Sequence, residues 1–218
     1  NQILLLEIRA AYFLIFLLGT LAATAQKLPE KGVPLLVNFT PSDYYNKGKV
    51  WDIRSAHSGI VYMAADKGLL EYDGNTWNSY KGSNGFTRSL LLVNDSLIYT
   101  GSDLDFGVWK KNKYQAFEYT SLYPFQKDAN DVNEEFWDVH QLKENIIFVS
   151  SQNIYVYKNG QLTQIAAPYK FSGSFEVNGA LYFADEKFGL YTFNGLSLKK
   201  VFDYPAGTSF QISGIYEY

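Results

Sequence analysis

An all-β chain built from repeated four-stranded antiparallel units is what this sequence predicts, on three observations. Aromatic residues make up 17% of the 218 positions, with 18 Tyr, 16 Phe and 4 Trp. Such side chains suit a pleated, half-buried surface, so the composition leans towards sheet. Short strand-like runs recur along the chain, separated by Gly-containing turns. Heptads and long helical periodicity are nowhere visible.

The first element reads as an address. Glu7 and Arg9 precede an apolar run over 10–18, Gly19-Thr20 interrupts it, and Ala23-Thr24-Ala25 supplies small residues. Charged, then apolar, then small is the order of a secretory signal peptide, with cleavage between Ala25 and Gln26. A retained membrane helix needs about 20 consecutive apolar residues, more than this run holds. Glu7 departs from the usual positive start. The reading is a signal-peptide helix over 1–25, a lead-in over 26–49, and an exported repeat region over 50–218.

Four units follow, over about 50–81, 86–122, 136–167 and 171–203. Opening strands are expected at 50–55, 88–93, 136–142 and 171–177. Second strands follow at 60–63, 97–99, 146–148 and 180–183, and third strands at 68–72, 107–110, 154–157 and 189–193. Asp73-Gly74, Asn159-Gly160 and Asn194-Gly195 stand after three of the third strands. Two positive φ values there would give the type I′ turn of a tight hairpin. Asn112-Lys113 holds the matching place in the second unit. A fourth strand completes each unit, as at 76–80. Aligning Tyr62, Tyr99, Phe148 and Tyr182 gives spacings of 37, 49 and 34 residues, the long one holding an insertion around 123–135. Four short antiparallel strands per unit is the make-up of a β-propeller blade. A fifth blade is expected to begin near 210, and more blades in a longer chain to close the ring. Trp51-Asp52 and Trp137-Asp138 open blades instead of ending third strands, which sets WD repeats aside.

Composition excludes several functions. The net charge of −3 comes without a run of Lys and Arg, so no nucleic-acid surface is expected. Cys is absent and His occurs twice, which removes disulfides, thiolate zinc and multi-histidine metal sites. No cofactor is expected. No Gly-x-Ser-x-Gly elbow accompanies His57 or His140, which read as a solvated turn residue and a blade residue. Asp52, Asp138, Glu134 and Glu135 are the carboxylates from which a glycosidase pair would have to come, if two of them lay about 5–10 Å apart. Residues 128–135 are rich in oxygen ligands, but Val132 and Asn133 break the spacing of a regular calcium loop.

Binding chemistry is the better fit. Trp51-Asp52 and Trp137-Asp138 hold matched positions in the opening strands of their blades, and Arg88 a similar one in the second blade. Opening strands line a propeller's channel, so these five residues can face its mouth. Indole faces with Asp and Arg beside them suit an oligosaccharide. Packing between blades is the other placement open to the two indoles.

The residue order is recognisable as a whole. Gly32-Val33-Pro34-Leu35-Leu36 and Phe39-Thr40-Pro41-Ser42-Asp43-Tyr44 lead into Val50-Trp51-Asp52-Ile53, then Gly59-Ile60-Val61-Tyr62 and Gly68-Leu69-Leu70-Glu71-Tyr72-Asp73-Gly74. Arg88-Ser89-Leu90, Tyr119-Thr120-Ser121-Leu122 and Phe136-Trp137-Asp138-Val139 follow. This resembles the periplasmic two-component regulator propellers of Bacteroidota, which continue into a triple-tyrosine domain, a membrane helix and a LuxR-type or histidine-kinase output. The resemblance implies a non-catalytic sensor at the periplasmic face of the inner membrane. Its ligand would be an oligosaccharide or other small molecule, and the full receptor could pair as a homodimer. Contact with nucleic acid is not implied for this region, and contact with membrane only through the signal peptide or downstream segments. A secreted carbohydrate-active enzyme and a surface scaffold are the alternatives.

Overall fold

The computed structural model describes residues 36–44, 48–82, 85–124, 134–205 and 211–217. The expected signal helix, the Ala25–Gln26 junction and residues 125–133 of the insertion lie outside them. Among the described residues every regular element is a strand, and all sixteen belong to the compact unit Phe39–Tyr218.

The first sheet holds β1 (Val50–Ser55), β2 (Val61–Ala65), β3 (Gly68–Tyr72) and β4 (Trp77–Tyr80). The second holds β5 (Thr87–Asn94), β6 (Leu97–Ser102), β7 (Asp105–Lys111) and β8 (Phe117–Ser121). The third holds β9 (Phe136–Leu142), β10 (Asn145–Ser150), β11 (Asn153–Lys158) and β12 (Gln161–Ala166). The fourth holds β13 (Phe171–Val177), β14 (Ala180–Asp185), β15 (Gly189–Phe193) and β16 (Leu198–Phe202). Each sheet is an antiparallel meander whose order in space is its order in the chain. The first strands lie side by side, β5 resting against both β1 and β9.

Burial falls from the middle of each sheet to its last strand. β10 is buried at all but its first residue, whereas most of β16 is exposed. In the third sheet the middle strands are covered on both faces by the neighbouring sheets, which is why Asn-Ile-Ile-Phe-Val-Ser reads as a continuous apolar run without alternation. Three apolar seams fill the spaces between sheets. Tyr62, Ala64 and Leu69 meet Leu90, Ile98, Trp109 and Phe117 across the first. Phe106 meets Phe136, Phe148 and Tyr155 across the second, stacked on Phe148 at 4.1 Å. Ile147, Val149, Ile154 and Val156 meet Phe171, Leu181, Phe183, Tyr191 and Phe193 across the third.

The third seam corrects the alignment of repeats. Ile147 faces the fourth sheet, whereas Phe148 faces the second. Tyr62 faces the sheet that follows its own, so its counterpart in the third is Ile147 and not Phe148. The spacings become 37, 48 and 35 residues. A one-residue slip along a strand moves a side chain to the opposite face, and an aromatic there misleads the alignment.

The turns differ in kind as well. Asn159-Gly160 has two positive φ values, 49° and 79°, as type I′ requires. After β3 and β15 only the glycine is positive, Gly74 at 95° and Gly195 at 96°. Asp73 Oδ1 accepts from the backbone N–H groups of Asn75 and Thr76, and Asn194 Oδ1 from those of Leu196 and Ser197. The Asx residue is therefore the corner before the turn and the glycine its first central residue, the type II′ pattern. Asn112 caps a wider loop in the same way, accepting from Tyr114 and Ala116, with Gln115 taking the positive φ.

Gly68 and Gly189 occupy equivalent corners at φ 118° and 125°, where a Cβ would stand 2.2 Å from the Tyr80 carbonyl oxygen and 2.0 Å from that of Phe202. Gly189→Ala is expected to cost about 2–3 kcal/mol, through backbone strain and a displaced last strand. Gly179→Ala, at φ 69° in open space, should cost less. Equal urea midpoints for the two variants would show that no steric contact operates at the corner.

Residues 211–217, expected to open a fifth blade, carry no strand. A blade strand is held by hydrogen bonds to the strand beside it, and among the described residues none pairs with this segment.

Candidate functional site

The starts of β1, β5 and β9 bring three of the five expected binding residues into direct contact. The Arg88 guanidinium carbon lies 4.5 Å from the ring centre of Trp51 and 4.2 Å from that of Trp137. The two indoles meet edge to face, 6.0 Å apart at 75°. Trp51 donates its Nε1–H to Asp66 Oδ1 at 2.6 Å, and Asp66 also accepts from the Lys49 N–H. Arg88 is itself spent: its Nε donates to Asp103 and its Nη2 to Glu135 Oε1 at 3.2 Å, and the side chain is 9% exposed. Trp51 is half-buried, while Trp137 is 45% exposed. The placement between blades thus fits Trp51 better than Trp137.

Asp52 and Asp138 tie opening strands together. Asp52 accepts from the Leu90 N–H at 3.0 Å and pairs with Arg54 at 2.7 Å. Burial pushes its carboxyl above the ordinary range, Arg54 opposes this, and the charge of Asp138 adds a little. Asp138 accepts the Ser174 hydroxyl proton at 2.6 Å, and His140 Nε2 lies 2.7 Å from the same hydroxyl. With its proton on Asp138, the hydroxyl can only accept from His140. In a nucleophilic triad the histidine stands between serine and acid; here the serine stands in the middle, so His140 acts as a donor and not as a base.

Burial pushes His140 below its ordinary value of 6.5, a shift that Asp138 and Glu176 oppose and Arg54 reinforces. A depressed folded-state value means the folded protein takes up this proton less readily than the unfolded chain. The associated stability is present above pH 6.5 and is lost as pH falls through the folded value. Between pH 7.5 and 5.5 the wild type should lose more stability than His140→Gln, at most about 1.4 kcal/mol per pH unit for one group. Parallel stability curves would rule this out. The raised Asp52 works in the opposite sense at lower pH and is common to both proteins.

The other carboxylates expected from the sequence serve the seams. Glu134 is 5% exposed and accepts from Ser150, Asn153, Tyr123 and Tyr155. Glu135 is taken by Arg88. His57 is exposed in the turn between β1 and β2. No cluster of three or more His, Cys, Asp or Glu able to hold a metal occurs among the described residues.

Beside this rim is a recess of about 290 Å³ between the third and fourth sheets. Trp137 and Asp138 line it with Ser151, Lys170, Ser172 and Glu186. Lys170 pairs with Glu186 at 3.1 Å. Trp51, Asp52 and Arg88 are not among its lining residues. Reading the sequence missed Lys170 and Glu186, which flank strands β13 and β14. The one available signal is the recurrence of Ala65-Asp66 as Ala184-Asp185, since Asp185 accepts from the N–H of Lys170 much as Asp66 does from that of Lys49.

No protein-family model and no curated protein sequence matches the chain. Solved structures do. The WD40 β-propeller domain of Doa1 superposes with a TM-score of 0.54 at 15% identity, over 71% of this chain and 54% of that one. The fold is that of β-propeller blades. The extracellular domain of a one-component system protein of B. thetaiotaomicron gives a TM-score of 0.55 at 16% identity, over 75% of this chain. Virginiamycin B lyase from Staphylococcus aureus gives 0.57 at 14% identity, over 78% of this chain and 59% of its own. The blades described here span 23% of the B. thetaiotaomicron ectodomain.

Proposed function

We propose that these blades form the extracytoplasmic, ligand-sensing part of a membrane-anchored receptor that regulates signalling or transcription, and that they bind a carbohydrate or other small extracellular molecule without transforming it. The observation that carries this is the rim itself: an exposed indole, held by a buried arginine and a second indole, beside a recess whose walls mix apolar and polar groups. Pockets of this composition orient small ligands through a few polar groups and an apolar platform. The resemblance of the residue order to periplasmic regulator propellers supports the same reading, as does the fold likeness to the extracellular domain of a bacterial one-component system protein. The location that follows is the periplasmic face of the inner membrane. A ligand can signal from there by binding one arrangement of receptor chains better than another.

The fold likeness to virginiamycin B lyase favours a second reading, a secreted enzyme. Against it stand the partners of Asp52, Asp138, Glu134 and Glu135, each taken by an arginine or by neutral donors. Incubating the full exported region with polysaccharide digests separates the readings. Saturable binding with no change in the digest is the expected result, and turnover of any component would replace the sensor with the enzyme. A surface scaffold would show neither.

A further inference from the structure

We propose that the ligand sits in the recess between the third and fourth blades and is an uncharged, polyhydroxylated compound, with Trp51 and Arg88 acting only by holding Trp137 in place. The inference rests on the sensor reading and narrows the chemistry of its ligand.

Charge decides the class. Asp138 and Glu186 line the recess with one cation, Lys170, which Glu186 already holds at 3.1 Å. An anionic ligand would meet two carboxylates against that single cation, and like charges set together at an interface are costly. Arg88 cannot supply the missing charge, since Asp103, Glu135 and two indoles enclose it. A cationic ligand on the free face of Trp137 is also disfavoured, because the Arg88 guanidinium, 4.2 Å from the ring centre on the other face, sets a like charge across the ring and weakens its pull on a second cation. What remains is a neutral ligand with an apolar face for Trp137 and hydroxyls for Asp138, Ser151, Ser172 and the Lys170–Glu186 pair. The volume of about 290 Å³ lies at the lower end of ligand pockets, roughly 300–1,000 Å³, which suits one ring of such a compound.

Trp51 and Arg88 belong to the support. Trp51 is fixed by Asp66 and meets Trp137 edge on, and Arg88 fills the angle between them. Both are positioning residues.

The test uses the full exported region, tryptophan fluorescence and calorimetry, and two probes: neutral oligosaccharides from glucan and mannan hydrolysis, and oligogalacturonates. The neutral pool should saturate, with a Kd that barely changes between about 0.05 and 0.5 M NaCl because no charge pair forms. Oligogalacturonates should not bind. Trp137→Ala is expected to weaken binding at least about tenfold, and Ser151→Tyr, which fills the recess and leaves Trp137 and its supports in place, to do the same. Arg88→Gln should weaken binding in the wild-type background and add nothing to Trp137→Ala, as a residue acting through Trp137 must. Salt-sensitive binding of oligogalacturonates alone would overturn the inference and leave the sensor standing, as would neutral binding unaffected by either recess variant. Binding of neither pool would count against the sensor reading itself.

Discussion

Lys111→Met is expected to lower the stability of the protein by about 3–5 kcal/mol, because it strands a buried charge. The Lys111 ammonium lies 2.7 Å from Glu71 Oε1, with the side chains 11% and 7% exposed. Glu71 also accepts from the Tyr80 hydroxyl at 2.7 Å, while Lys111 lies 4.9 Å from the centre of the Phe117 ring. Methionine keeps an apolar stem like that of lysine and removes the ammonium with its charge and its hydrogen bond to Glu71, so lost packing contributes little to the effect. For a chain of this size the loss corresponds to a fall in Tm on the order of 10 °C. The double variant Lys111→Met/Glu71→Gln removes both charges and should recover most of it, since replacing a buried pair is far cheaper than breaking one. A single variant as stable as the wild type would mean that water reaches Glu71 and the first seam is not sealed.

Glu134→Ala should be about as damaging, for a different reason. Among the described residues no cation faces this carboxylate; it is shared by the hydroxyls of Ser150, Tyr123 and Tyr155 and the amide of Asn153. Burial pushes both tyrosines above their ordinary range, and the neighbouring Glu134 charge pushes them further. They stay protonated and act as donors. Truncation leaves several buried donors without an acceptor, each costing about 1–3 kcal/mol, and the total expected is about 3–5 kcal/mol once solvent enters in part. Glu134→Gln retains one acceptor oxygen and should lose less. Chemical denaturation of the two variants checks the order, and a glutamine variant as damaged as the alanine one would show that the negative charge, and not acceptor capacity, holds the hub.

These two sites mark where a sequence stops being legible. The opening strands could be read almost to the residue, since Phe136–Leu142 and Phe171–Val177 end at turns with their own chemistry. The convergence of Trp51, Arg88 and Trp137 was accessible too, because matched positions in consecutive blades must fall side by side. Glu71 and Lys111 stand 40 positions apart, at non-matched positions of the third strands β3 and β7, and no local pattern couples them. Glu134 sat in a run of acidic and amide residues that looks solvated, yet its neighbours Tyr123, Ser150 and Tyr155 enclose it. Lys170 and Glu186 left only the faint signal of the recurring Ala-Asp pair, because a recess between blades is made by residues whose relation is mainly one of space.

Among the described residues the main-chain ladders all close within their own sheets, and only isolated backbone bonds, such as Leu104 to Glu134 and Phe171 to Ser151, pass from one sheet to the next. Duplicating or deleting one 35-residue module therefore severs no ladder and shifts no register. Only the side chains at two faces must match their new neighbours, so a lineage of such genes can change how many modules it carries while each inherited module goes on folding as before.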